Sequence, residues 1–332
     1  MANRIKDTEY LYYTTYVRMR ETSFINADRM DQMLTATSNE EAMKIAQECG
    51  YAEVENVNVD TVNDVLSKER DKLFGDLGDL PNPEILDLFK IKYDYHNAKV
   101  LLKSEVMGLE PERLLVDLGR VPAKVLENAV RASEFKGMPP ILQDAVVEAR
   151  EVLGATQDPQ LSDFVLDRAY FQDMHKIAEK VGSEFMKNYV RVSIDVANLR
   201  SIVRTLRMKK GTEFLTGVLF EGGEVSTKRI LSAVAAGTSL EELYSGEAMK
   251  AAASAGNVAA DGGSLTKFEK LCDDAVTAYL KKSKHVSFGE APVVAYLAAK
   301  DTEMTAVRII MTGRLAGLSA DVIRERLREA YV

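Results

Sequence analysis

The sequence predicts an all-α protein of three similar helical domains. Three observations lead to the helical repeat. Apolar residues recur at helical spacing along nearly the whole chain, with few alternating runs of strand type. The 20 glycines and 8 prolines gather mostly between those periodic segments. One motif on a long helix returns twice more, at spacings the size of a domain.

The elements follow in order. Tyr10, Tyr12, Tyr13 and Tyr16 form an aromatic group on the first helix. Base stacking would need basic residues interleaved with them, and only Arg18 and Arg20 follow, so packing against other helices is expected. Ser38 through Glu41 reads as a capping box that starts a helix, and Gly50 stops it. Residues 51–59 are the best strand candidate, but their asparagines favour a loop. Pro83 suits the first turn of a long helix ending near Gly108, and Pro292 opens another. A further periodic segment runs from about Gly182 to Gly211. Residues 75–83, 221–224 and 261–264 carry turn chemistry. Residues 251–260 are rich in small side chains, which suggests a poorly packed helix or a mobile segment.

The repeat reads Asp-x-x-Asn-x-basic-x-x-x-basic. Asp94, Asn97, Lys99 and Lys103 form the first copy, and Asp195, Asn198, Arg200 and Arg204 the second. A weaker third copy starts at Glu303, with Ala306 for the asparagine, Arg308 for the first base and Thr312 for the second. Asp167 and Asp274 precede the last two copies at nearly equal distances, each soon followed by an Ala-Tyr pair ending at Tyr170 and Tyr279. The spacing of roughly 100 residues exceeds the common solenoid periods of about 20–50. It implies domains over residues 1–108, 109–211 and 212–332. The plainer alternative is chance likeness between long amphipathic helices.

Composition narrows the function. The chain has 332 residues, 46% hydrophobic and 28% charged, an ordinary globular balance. With 43 basic and 51 acidic residues the net charge is −8, which argues against a general nucleic-acid binder. Two cysteines, Cys49 and Cys272, exclude a disulfide framework. His96, His175 and His285 lie too far apart in sequence for a zinc motif. Phosphate loops, dinucleotide loops, nucleophile elbows and zinc-protease motifs are absent, so neither a cofactor nor a metal is expected. Asp273-Asp274 is the only adjacent aspartate pair. It is the sole hint of a magnesium-dependent lyase or prenyl-transfer enzyme, and no second acidic cluster accompanies it. The first residues lack the apolar core of a signal peptide. Residues 291–299 are apolar but bounded by Glu290 and Lys300, short of the ~20 residues that span a bilayer. A soluble protein that meets a membrane through a partner is expected.

Lys99 and Lys103 share a helix face, as do Arg200 and Arg204. Like charges one turn apart repel slightly unless something compensates them. Either they face an acidic partner or the protein's middle, or they pair with this chain's own carboxylates or are simply solvated.

Two stretches resemble the C/d subunit family of V-type and A-type rotary ATPases. The first holds Tyr12, Tyr16-Val17-Arg18-Met19-Arg20, Phe24-Ile25, Met33-Leu34, Ser38, Glu41-Ala42 and Gly50-Tyr51. The second holds Gly289-Glu290-Ala291-Pro292, Tyr296, Lys300, Glu303, Val307-Arg308, Thr312-Gly313-Arg314 and Gly317-Leu318. The likeness extends over nearly the whole chain in order, spacing and length. It implies an all-helical funnel of three similar domains around a pseudo-threefold axis that performs no chemistry. Such a protein sits between the central stalk and the membrane proteolipid ring, on the cytoplasmic face, and passes rotation between them in ATP-coupled proton or sodium transport. It also implies that the stalk enters the funnel, which would place Lys99, Lys103, Arg200, Arg204, Arg308 and Arg314 near the axis or the stalk-facing wall. The competing expectation is a general helical-repeat scaffold.

Overall fold

The computed structural model describes residues 5–332. Residues 1–4, which begin both the stretch read for a signal peptide and the first expected domain, lie outside the described residues. Among the described residues there are helices and loops but no strand, and the protein is all-α. The chain opens with α1 (Leu11–Glu21), α2 (Ala27–Thr35), α3 (Asn39–Glu48) and α4 (Val59–Asp76). The long α5 (Glu84–Met107) leads to α6 (Ala123–Ala132), α7 (Pro140–Thr156) and α8 (Pro159–Val181). The equally long α9 (Glu184–Arg207) leads to α10 (Thr212–Val218), α11 (Thr227–Ala236), α12 (Glu247–Ala260) and α13 (Leu265–Leu280). A third long helix, α14 (Ala291–Leu315), precedes the short α15 (Ala320–Arg324) and an extended tail.

Local chemistry sets the helix ends. Ser38 caps α3 by accepting from the Glu41 amide at 3.1 Å. The Glu41 carboxylate takes the Thr37 amide at 2.7 Å, one residue before the amide a capping box would use. Residues 51–58 form a loop whose last member, Asn58, caps α4. Gly108 ends α5 in the left-handed conformation, φ 64°, which costs glycine little.

The small residues of α12 depart from expectation. Ala252, Ala253, Gly256 and Ala259 are buried on the face that meets α9 and α13. A Cβ on Gly256 would stand 3.0 Å from Val203 and 3.2 Å from Phe268. Small side chains here permit close approach of helices rather than loose packing. The tyrosines of the N-terminal helix act largely through their hydroxyls. Tyr10 donates to Asn82 Oδ1 at 2.7 Å, Tyr16 donates to Asp76 Oδ2 at 2.6 Å and Tyr13 donates to the Asp79 carbonyl. They staple α1 to the loop between α4 and α5, while Tyr12 stays exposed.

The repeated motif serves the packing of its long helix. On α5, the buried Asp94 accepts the Val121 amide at 3.1 Å, and Asn97 exchanges two hydrogen bonds with the Val116 backbone at 2.8 and 2.9 Å. On α9, Asp195 accepts the Glu224 and Val225 amides at 3.0 and 3.2 Å. Asn198 exchanges two bonds of 2.8 Å with the Phe220 backbone. Each motif thus satisfies the polar backbone of a loop that crosses a buried helix face. Glycine lets that loop come close: a Cβ on Gly119 or Gly223 would lie 2.1 or 2.3 Å from the Oδ1 of Asp94 or Asp195. On α14 the third copy holds a different partner. Glu303 accepts the Ile25 amide at 2.6 Å and the Tyr51 hydroxyl at 2.7 Å, both from the start of the chain. Ala306 has no group to make the second exchange.

Candidate partner-binding hollow

Helices α8, α9, α13 and α14 bound a hollow of about 340 Å³, with Tyr170, Tyr189, Arg200, Asp273, Asp301 and Arg328 in its wall. A groove of about 610 Å³ adjoins it between the start of α13, the end of α14 and the C-terminal tail. Ile309 and Arg328 border both spaces. No group of three or more His, Cys, Asp or Glu residues stands together as metal ligands among the described residues.

The basic motif positions form a two-rung ladder, built twice. Lys99 and Lys103 of α5 reach Asp167 and Asp163 of α8, each at 2.6 Å. Arg200 of α9 reaches Glu269 and Asp273 of α13 at 2.5 and 2.6 Å, and Arg204 reaches Glu269 at 2.8 Å. Bases one turn apart on one helix meet acids one turn apart on the next, which offsets their mutual repulsion. The third rung has no acid. Helix α14 packs against α4. That helix brings Arg70 close to Arg308, and burial together with this second guanidinium pulls the Arg308 pKa below its ordinary value. Arg308 makes no ion pair among the described residues, although the Asp301 carboxylate of its own helix opposes that shift. Arg314 does separate work: its guanidinium donates to the carbonyls of Leu34, Ala36 and Ser38 at 2.7, 2.9 and 3.0 Å. It thereby closes the exposed end of α2 and ties it to α14.

Asp273 and Asp274 are both engaged by the C-terminal tail. Asp273 also pairs with Arg328 at 2.7 Å, and Asp274 accepts the Glu329 amide at 2.7 Å. Their carboxylates hold a strap across α13 instead of facing an open metal site.

The sequence profile of the family described as ATP synthase (C/AC39) subunit matches residues 13–326. The chain belongs to this family. It is 26% identical to the C subunit of the V-type sodium ATPase of Enterococcus hirae, over 97% of this chain and 99% of that one. Its identity to the C subunit of the A-type ATP synthase of Methanocaldococcus jannaschii is 24%, covering 96% of this chain and 86% of that one. With the corresponding A-type ATP synthase protein of Haloferax volcanii it shares 27% identity over 81% of each chain.

In this C/AC39 chain the six basic positions fall into three kinds. Lys99, Lys103, Arg200 and Arg204 are ladder members, Arg314 is a staple, and Arg308 is uncommitted. Sequence reasoning missed Arg326 and Arg328, which border the groove. Their signal is the alternating Arg324-Glu325-Arg326-Leu327-Arg328 near the end of an acidic chain.

Proposed function

We propose that the chain is a non-catalytic rotor subunit of a V/A-type ATPase or ATP synthase. It links the central stalk to the membrane proteolipid ring and passes torque between them. The observation that carries this is the family match from residue 13 to residue 326, together with C-subunit relatives of V-type and A-type enzymes aligned over most of their length. Transmitting torque requires a body that does not yield between its two interfaces. Buried motif bonds and ion-pair ladders between long helices suit that demand, since packed interiors transmit strain. No helix among the described residues is long and apolar enough to cross a membrane. The protein would therefore reach the ring from the cytoplasmic face through its partners.

We further propose that the three repeats, which the sequence divides into residues 1–108, 109–211 and 212–332, surround a pseudo-threefold axis, the last completed by the start of the chain. Lys99, Lys103, Arg200, Arg204, Arg308 and Arg314 belong to the wall that the stalk approaches, with Arg204 and Arg308 the most accessible to it. Purification of a tagged chain from gently solubilised membranes tests the function. The expected result is recovery of ATPase head, stalk and proteolipid subunits, with release of the head from membranes when the chain is deleted. Recovery of the chain alone would overturn the assignment.

A further inference from the structure

We propose that the outward face of α1, with the loop between α4 and α5, docks an arginine-bearing basic segment of a partner protein. Helix α1 packs against α14 and buries Thr14 and Val17. Leu11, Tyr12, Thr15 and Met19 remain exposed. The packing expected of the tyrosine group is realised at Tyr10, which is fully buried, and not at Tyr12, which is 70% exposed. The Tyr12 ring meets Tyr13 edge-on, with centroids 5.2 Å apart, and lies within 18° of parallel to Tyr16 at 6.4 Å. Three aromatic rings thus stand together at the surface.

Carboxylates border these rings. Tyr16 donates to Asp76 Oδ2 at 2.6 Å, and Tyr13 donates to the Asp79 carbonyl. Asp76 and Asp79 are exposed and make no ion pair among the described residues. Residues 75–83 contain no base. The nearby bases are few: Lys6 is paired with Glu9 at 3.6 Å, Arg20 is half-buried against Tyr296, and Lys72, one turn before Asp76, makes no ion pair with it. A tyrosine face attracts a cation placed within about 6 Å of the ring centre. Arginine suits this surface better than lysine, because its planar, weakly hydrated head stacks on rings and matches carboxylates. One base of the segment would stack on Tyr12 while another meets Asp76 and Asp79. The same acids repel anionic lipid and nucleic acid, so a basic protein segment is the fitting occupant.

The inference is independent of the function proposed above, since neither the rings nor these acids belong to the positions assigned to the stalk. A photo-crosslinking residue at the exposed Thr15, in the full chain within its native membranes, tests the face. The expected adduct maps to a segment of another protein that carries several arginines or lysines. An adduct only with lipid, only with a second copy of this chain, with a segment lacking bases, or with nothing would overturn the proposal. In solution the probe is a short fluorescent oligo-arginine peptide, with oligo-glutamate as its control. Tyr12→Ala with Asp76→Asn and Asp79→Asn should weaken binding of the arginine peptide to the purified chain at least about tenfold. Asparagine at position 76 still accepts the Tyr16 hydroxyl, and circular dichroism should show unchanged helicity. Tyr12→Phe should retain most of the binding, because it keeps the ring. Glu53→Gln with Glu55→Gln removes the same two charges from exposed positions before the start of α4, and should leave binding unchanged. Equal losses in the two charge variants would mean that only net charge is read, and would sink the site. So would a parent chain that does not bind the arginine peptide.

Discussion

Asp94 and Asn97 on α5, like Asp195 and Asn198 on α9, hold loops that follow them closely in sequence. Glu303 on α14 instead holds Ile25, 278 residues away. The first two sites use asparagine exchanges and backbone amides, with one buried guanidinium, Arg120, added beside Asp94 at 3.0 Å. The third builds a buried ion cluster: Lys300 Nζ lies 2.6 Å from Glu303 and 3.0 Å from Glu69, and 4.4 Å from the centre of the Tyr51 ring. A loop that follows its helix loses little extra closure entropy, whereas joining the two ends of the chain restricts a far longer loop. A common helical frame is thus held by different chemistry where the contact joins segments far apart in sequence. The charged solution is also the more fragile, because a buried ion tolerates the loss of its partner poorly.

The largest effect should follow from breaking the charged junction. Lys300→Met leaves Glu69 and Glu303 facing each other without a cation and should destabilise the protein by about 4 kcal/mol. Urea unfolding checks the loss, and proteolysis should find the region around residue 25 first. Adding Glu69→Gln and Glu303→Gln should restore much of it, since the penalty comes from the stranded charges. If the single variant unfolds like the parent, the cluster does not close the chain.

At the second site the corresponding test is steric. Gly223→Ala drives a Cβ toward Asp195, pushes the loop off α9 and strands the Glu224 and Val225 amides. The cost should be about 3 kcal/mol. Hydrogen exchange should show those two amides opening, with the Ile25 amide still protected. Equal loss of protection at both places would mean that the junctions are not independent.

Much of this frame is legible in the sequence. The Asp-x-x-Asn repeat, the ends of the long helices and the absence of strands can be read from spacing and turn chemistry. The loops that the motif holds cannot, although Gly119 and Gly223 stand at similar distances downstream of Asp94 and Asp195. Their significance lies in a close approach of backbone, which composition does not encode. The small residues of α12 mislead for the same reason: alanine and glycine look like poor packing until a neighbouring helix is placed against them. For the basic positions, the periodicity identifies a shared face and leaves pairing with this chain's own carboxylates open. Only tertiary placement shows that Asp163 and Asp167 answer Lys103 and Lys99, that Glu269 and Asp273 answer Arg200 and Arg204, and that α4 leaves Arg308 unanswered.

The smallest effect sharpens the comparison through protons. Asp94 has the Arg120 guanidinium at 3.0 Å and Glu303 has Lys300, but Asp195 has no cation beside it among the described residues, only backbone amides. Burial therefore outweighs those amides and pushes the Asp195 pKa up to about 6. The folded state then holds this proton more tightly than the unfolded chain, whose aspartate titrates near about 3.9. Its contribution to stability is complete below about pH 4 and is lost as pH rises through about 6. Asp195→Asn removes that titration. The stability of the variant relative to the parent should improve by about 2 kcal/mol between about pH 4 and pH 7. Chemical unfolding of both proteins across that range measures the difference and cancels the other carboxylates. A constant difference would mean that Asp195 stays ionised throughout, with its two backbone amides sufficient to replace the cation that the other two sites use.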